Sequence, residues 1–132
     1  MMFDIVKVVR VLSFYSCLKF FLFWTLVLGF TVLFLVPGNY LANEIFDWWD
    51  KAQHAFVFAF LTMMANLIYR SKLKMIFFCL ELYGAVIELL QSYTGWRQGE
   101  LYDWIADGVG VICVSACIWI YGSLKSRQSL IG

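Results

Sequence analysis

Asp50 and His54 stand four residues apart in DWWDKAQHAF (47–56), so a helix there carries a carboxylate and an imidazole on one face. Lys51 lies beside them. Asp103 and Asp107 repeat the same interval in YDWIAD, and Gly84, Glu88 and Gln91 follow one another at helical spacing in YGAVIELLQ. The intervening segment TGWRQGELY adds Arg97 and Glu100. Two kinds of work suit these side chains. His54, Glu88 and Asp103 are candidates for moving protons as general acid or base. Asp50, Lys51, Gln91, Arg97 and Asp107 are candidates for holding a ligand by ion pairs and hydrogen bonds.

Asp50, Glu88, Asp103 and Asp107 oppose Lys51 and Arg97, which leaves two excess negative charges when every carboxylate is ionised and His54 is neutral. Burial resists that state. Protons or a bound cation relieve it. An oxygen-rich set with one imidazole suits magnesium, manganese or calcium better than a structural zinc site. Neither H-E-x-x-H nor C-x-x-C occurs, so the sequence names no metal and no cofactor.

The elements that must position these residues are apolar. Of 132 residues, 63% are hydrophobic, 20% aromatic and 14% charged, and the mean hydropathy is +0.79. Soluble domains carry about 25% charged residues, and so small a globule cannot hide this much apolar surface. The expectation is an all-α integral membrane protein: a single domain over 1–132, an antiparallel bundle of four transmembrane helices near 20–36, 54–69, 75–93 and 104–121. Pro37-Gly38 stops the first span, residues 1–19 form an amphipathic lead-in, and GSLKSRQSLIG reads as a polar tail. The first apolar run exceeds the roughly 7–15 residues of a signal-peptide core. Cys17, Cys79, Cys113 and Cys117 all sit in or beside apolar runs and read as small hydrophobes.

Charge asymmetry orients the bundle. Lys7, Arg10, Lys19, Arg70, Lys72, Lys74, Lys125 and Arg127 fall at one end, and only Lys51 and Arg97 at the other. The positive-inside rule places both termini in the cytoplasm. Tyr40, Trp48, Trp49, Tyr93, Trp96, Tyr102 and Trp104 then form an outer interfacial belt, and the polar residues converge just beneath it. Taken singly, Asp50, Lys51 and Asp103 read as solvated helix caps. Glu88 and Asp107 lie deeper, where an ionisable group costs about 2.5–3.5 kcal/mol and points to function. Glu81, near mid-bilayer, pairs with Asn66 or serves a proton relay. Gly108, and Gly110 with Ala106, form a small-residue face against which the third span presses.

The ordered pattern resembles the VanZ-like family of small membrane proteins. That pattern runs D-K-x-x-H, then G-x-x-x-E-x-x-Q, an arginine, then D-x-x-A-N-x-x-G. It falls here on Asp50, Lys51 and His54; Gly84, Glu88 and Gln91; Arg97; and Asp103, Ala106, Asp107 and Gly110, with Asp107 replacing the commoner Asn. The match covers about residues 50–110. The resemblance implies a protein of the bacterial cytoplasmic (inner) membrane and a setting linked to resistance to the glycopeptide teicoplanin. The expected function is binding or modulation of an envelope lipid headgroup, a glycopeptide or a partner protein. The alternatives are an enzyme acting on a phosphate-bearing envelope lipid, in which Arg97 and Lys51 hold the phosphate, and a proton-coupled transporter. Membrane lipids are expected partners; nucleic acid is not.

Overall fold

The computed structural model describes the backbone of residues 2–37, 47–70, 72–97 and 99–131, and the side chains of 14–37, 49–70, 72–97 and 99–128. These residues form four α-helices and no strand: α1 (Met2–Leu35), α2 (Asp47–Ile68), α3 (Leu73–Thr94) and α4 (Leu101–Ile131). Asn39, Tyr40 and the side chains of Lys7, Arg10 and Trp48 lie outside the described residues.

Two helices run further than the hydropathy pattern suggests. α1 begins at Met2, because Lys7 and Arg10 are good helix formers that interrupt the apolar run without breaking the backbone. α4 continues past Tyr121 through the expected tail, where Gly122 is the sole weak helix former before Leu130 and Ser, Lys, Arg and Gln all propagate a helix. α1 ends at Leu35, two residues before Pro37, as the constraint on residues preceding proline requires. α3 ends at Gly95, whose φ of 77° supplies the left-handed C-cap.

The segments Phe14–Leu35 and Leu101–Gln128 are long and apolar enough to cross a membrane. Large apolar side chains face outward on every helix. Phe21, Phe56, Phe78 and Trp119 are between 69% and 73% exposed, a surface suited to hydrocarbon rather than water. The core is a narrow column of Phe58, Leu61, Ile87 and Val111, all buried.

The most extensive interface joins α2 to α4. It owes its closeness to Gly110, where an added Cβ would run into the carbonyl of Ala55. Gly110 therefore faces the second helix, and Gly108 alone carries the expected contact with the third, lying against the Glu81 carboxylate. Because the start of α2 meets the start of α4 and the end of α3, α2 is parallel to α4 and antiparallel to α3. α1 is tied to α3 by Tyr83, whose Oη lies 2.8 Å from Thr31 Oγ1 and donates to the Val27 carbonyl at 3.2 Å. Toward the opposite end the two separate around an apolar cleft of about 340 Å³, lined by Phe23, Trp24, Ile76, Leu80 and Tyr83.

Candidate functional site

The site lies where the first turns of α2 and α4 meet the last turns of α1 and α3. At its base, His54 and Asp107 are fully buried, with Nδ1 2.9 Å from Oδ1. An ionised carboxylate only accepts, so this contact holds the imidazole with its Nδ1 proton toward Asp107. Nε2 is then left as an acceptor, and it has no partner. The ring is also held from the side, stacked on Phe34 at a centroid separation of 4.2 Å. Two forces thus fix the plane of one buried imidazole.

Glu88 stands beside this pair, with Oε1 3.8 Å from His54 Nδ1. Its other oxygen accepts the backbone N–H of Glu100 at 2.7 Å. That bond brings Gly99 and Glu100 back over the end of α3. Gly99 permits it, because a Cβ there would strike the Glu88 carbonyl. Gly84, one turn earlier on α3, leaves room for Asp107: an added Cβ would come within 2.6 Å of Oδ2.

Above the base the site opens. Lys51 Nζ lies 3.2 Å from Glu100 Oε2 and 3.6 Å from the buried Asp103 Oδ1. Arg97 is paired with Asp50 through Nη2 and Oδ2. The carboxylates of Glu100 and Asp50 are 44% and 40% exposed and Lys51 and Arg97 only 26% and 13%, so the upper layer reaches the surface through its acids while the lower one is sealed. Asp103 is 3% exposed and forms the step between them.

Several of these residues also close the end of α1. A helix leaves its last four carbonyls without internal partners. Here Gln91 Nε2 and Arg97 Nη1 donate to the Phe34 carbonyl at 3.0 and 3.2 Å, and Trp96 Nε1 donates to that of Leu35 at 3.1 Å. Gln91, expected to contact a ligand, is buried and spends its amide on this cap. Arg97 divides its guanidinium between the cap and Asp50.

The structure therefore brings together His54, Glu88, Asp103 and Asp107, with Asp50, Lys51 and Arg97 above them and Gln91 to the side. Glu81 stays apart. It packs over Gly108, and its Oε1 has no hydrogen-bond partner, so the expected bond to Asn66 is not made. Three contributors carry no polar signature that would single them out in sequence: the ring and carbonyl of Phe34, the missing side chain of Gly99, and the backbone N–H of Glu100. Pro37, just beyond the end of α1, is the nearest sequence clue to the first.

The cluster has more carboxylates than cations, and each cation already has an acidic neighbour. Its base can transfer or hold a proton at His54 Nε2, or coordinate an ion there; its upper layer can exchange ion-pair partners. Comparison with protein-family models, curated proteins and solved structures returns no match.

Proposed function

We propose that this chain is a VanZ-like protein of the bacterial cytoplasmic membrane, with all four helices spanning it and both termini cytoplasmic. In this reading it binds an envelope lipid at its outer face through a zwitterionic, phosphate-bearing headgroup. The observation that carries the reading is the two rim ion pairs, Lys51–Glu100 and Asp50–Arg97, whose carboxylates reach the surface above a sealed base. A purely anionic headgroup gains the two cations but leaves the two rim carboxylates as repelling charges. A headgroup with both a phosphate and an ammonium exchanges partner for partner, so each opened ion pair is replaced by another. His54 and Asp107 at the base are fully buried, so headgroup capture begins at the rim.

A second reading has its own support. The buried His54, oriented by Asp107 and Phe34 with Nε2 unpartnered, has the form of a positioned general base, which favours an enzyme acting on the same headgroup.

The test is the lipid retained through purification. After exchange into mild detergent and washing, mass spectrometry should show aminoalkyl-phosphate lipids enriched over anionic glycerol-phosphate lipids, relative to the source membrane. Lys51→Gln with Arg97→Gln should lower that retention by about tenfold, the equivalent of ~1.4 kcal/mol. Equal retention of both lipid classes in a well-folded wild-type sample would sink the proposal. Conversion of a labelled headgroup lipid, abolished by His54→Gln, would promote the second reading over the first.

A further inference from the structure

We propose that Asp50, His54 and Asp103 form a binding site for one divalent metal ion. One donor atom from each lies within 4.8 Å of the others, a spread that modest side-chain rotation closes around an ion. An acidic cluster alone would not suffice. The further observation is the imidazole itself: it is 0% exposed, and its Nε2 has no hydrogen-bond partner. With Nδ1 engaged by Asp107, Nε2 is the nitrogen that the ring offers to the group. Asp103 Oδ1, also buried, likewise lacks a hydrogen-bond partner, its nearest cation being Lys51 at 3.6 Å.

Asp107 then acquires a defined part. Metal-bound histidines commonly donate their second N–H to a carboxylate, which fixes the tautomer and raises the basicity of the ligating nitrogen. Asp107 is a positioning residue of that kind, on the far side of the ring from the ion. His54, Glu88 and Asp107 make a second, deeper trio of donors within the same separation. It meets the ring at Nδ1, where the contact with Asp107 already occupies the nitrogen, so the outer trio is the better site.

Two carboxylates and one imidazole suit an ion that accepts both oxygen and nitrogen, of which Mn²⁺ is representative. Three protein ligands leave positions open on a six-coordinate ion. The open side faces the accessible layer, where Asp50 is already half exposed. The site would also offset the excess of carboxylates over Lys51 and Arg97. It shares Asp50 with the rim, and that carboxylate turns from Arg97 toward the ion when the metal binds.

The experiment uses the full chain in lipid nanodiscs, with Mn²⁺ alone as the probe, read by electron paramagnetic resonance. The expected result is one bound ion per chain, with pulsed spectra showing coupling to a single imidazole nitrogen. His54→Gln and Asp103→Asn should each weaken binding by at least about tenfold, and Asp107→Asn by a smaller factor. Glu81→Gln removes a half-buried acid outside the trio and should leave affinity unchanged. Circular dichroism reports whether each variant remains helical, and the nitrogen coupling needs only the wild-type chain. Absence of binding, or bound Mn²⁺ without imidazole coupling, overturns the proposal. Loss of binding in Glu88→Gln with Asp103→Asn unaffected moves the ion to the deeper trio and overturns the assignment. Lipid retention without Mn²⁺ binding would remove the metal site and leave the headgroup reading intact.

Discussion

His54 and Asp107 meet across the α2–α4 interface with neither side chain exposed, 53 positions apart in sequence and 2.9 Å apart in space. Removing the carboxylate leaves the buried Nδ1–H without an acceptor, at a cost of about 1–3 kcal/mol. Asp107→Ala should therefore destabilise the bundle by roughly that amount. Asp107→Asn keeps the size and an accepting oxygen, so it should lose less than half as much. Denaturant titration of the purified chain in mixed micelles, followed by circular dichroism, measures both. Equal losses would show that charge, and not the hydrogen bond, holds the ring.

Gly110 sets the distance between the same two helices. A methyl group there meets the Ala55 carbonyl, a piece of backbone with no rotamer to adopt. Gly110→Ala should cost about 1–3 kcal/mol by overpacking. Gly122→Ala has open space around it and should be neutral or slightly stabilising, since alanine is the better helix former. The two substitutions compared in one titration separate helix propensity from interface distance.

The cap on α1 is testable through Gln91. Gln91→Leu keeps the bulk, removes one of the two donors to the Phe34 carbonyl and leaves Arg97 as the other. The expected loss is about 0.5–1.5 kcal/mol, the range for a hydrogen bond whose acceptor retains a partner. In Gln91→Leu with Arg97→Gln the carbonyl has neither donor, and the combined loss should exceed the sum of the single losses. Simple additivity in that cycle would mean the two donors do not share the carbonyl.

Orientation in the membrane is read by thiol accessibility. With Cys17, Cys79, Cys113 and Cys117 replaced by alanine, a cysteine at Thr94 should react with an impermeant reagent in intact cells. A cysteine at Lys72 should react only after lysis. The reverse pattern would invert the arrangement drawn from the basic residues.

Much of the site was legible in the sequence because helical periodicity is a strict rule. Asp50 and His54, or Asp103 and Asp107, must share a face once the helices form, and hydropathy marked where they form. The helix ends were less legible, since α1 and α4 continue through charged residues that hydropathy counts as interruptions and the helix backbone does not. Backbone contributions were not legible. The Phe34 carbonyl is available because of its place near the end of α1, and no property of phenylalanine advertises it. Which neighbour Gly110 faces was equally hidden, because a small residue records that something comes close but not what. Gln91 shows the converse: its type invited a ligand, and its surroundings use it to finish another helix.

The separation of His54 from Asp107 also dictates an order of assembly. The imidazole is synthesised well before the carboxylate that orients it, and Glu88 is made between them. Until Asp107 is made, the imidazole has Phe34 and Glu88 beside it but no carboxylate within hydrogen-bond distance of Nδ1. Closing the α2–α4 interface at Gly110 is the event that brings Asp107 to the ring. The orientation of His54 thus waits for the fourth helix, and a chain halted before residue 107 would leave the imidazole without the carboxylate that fixes it.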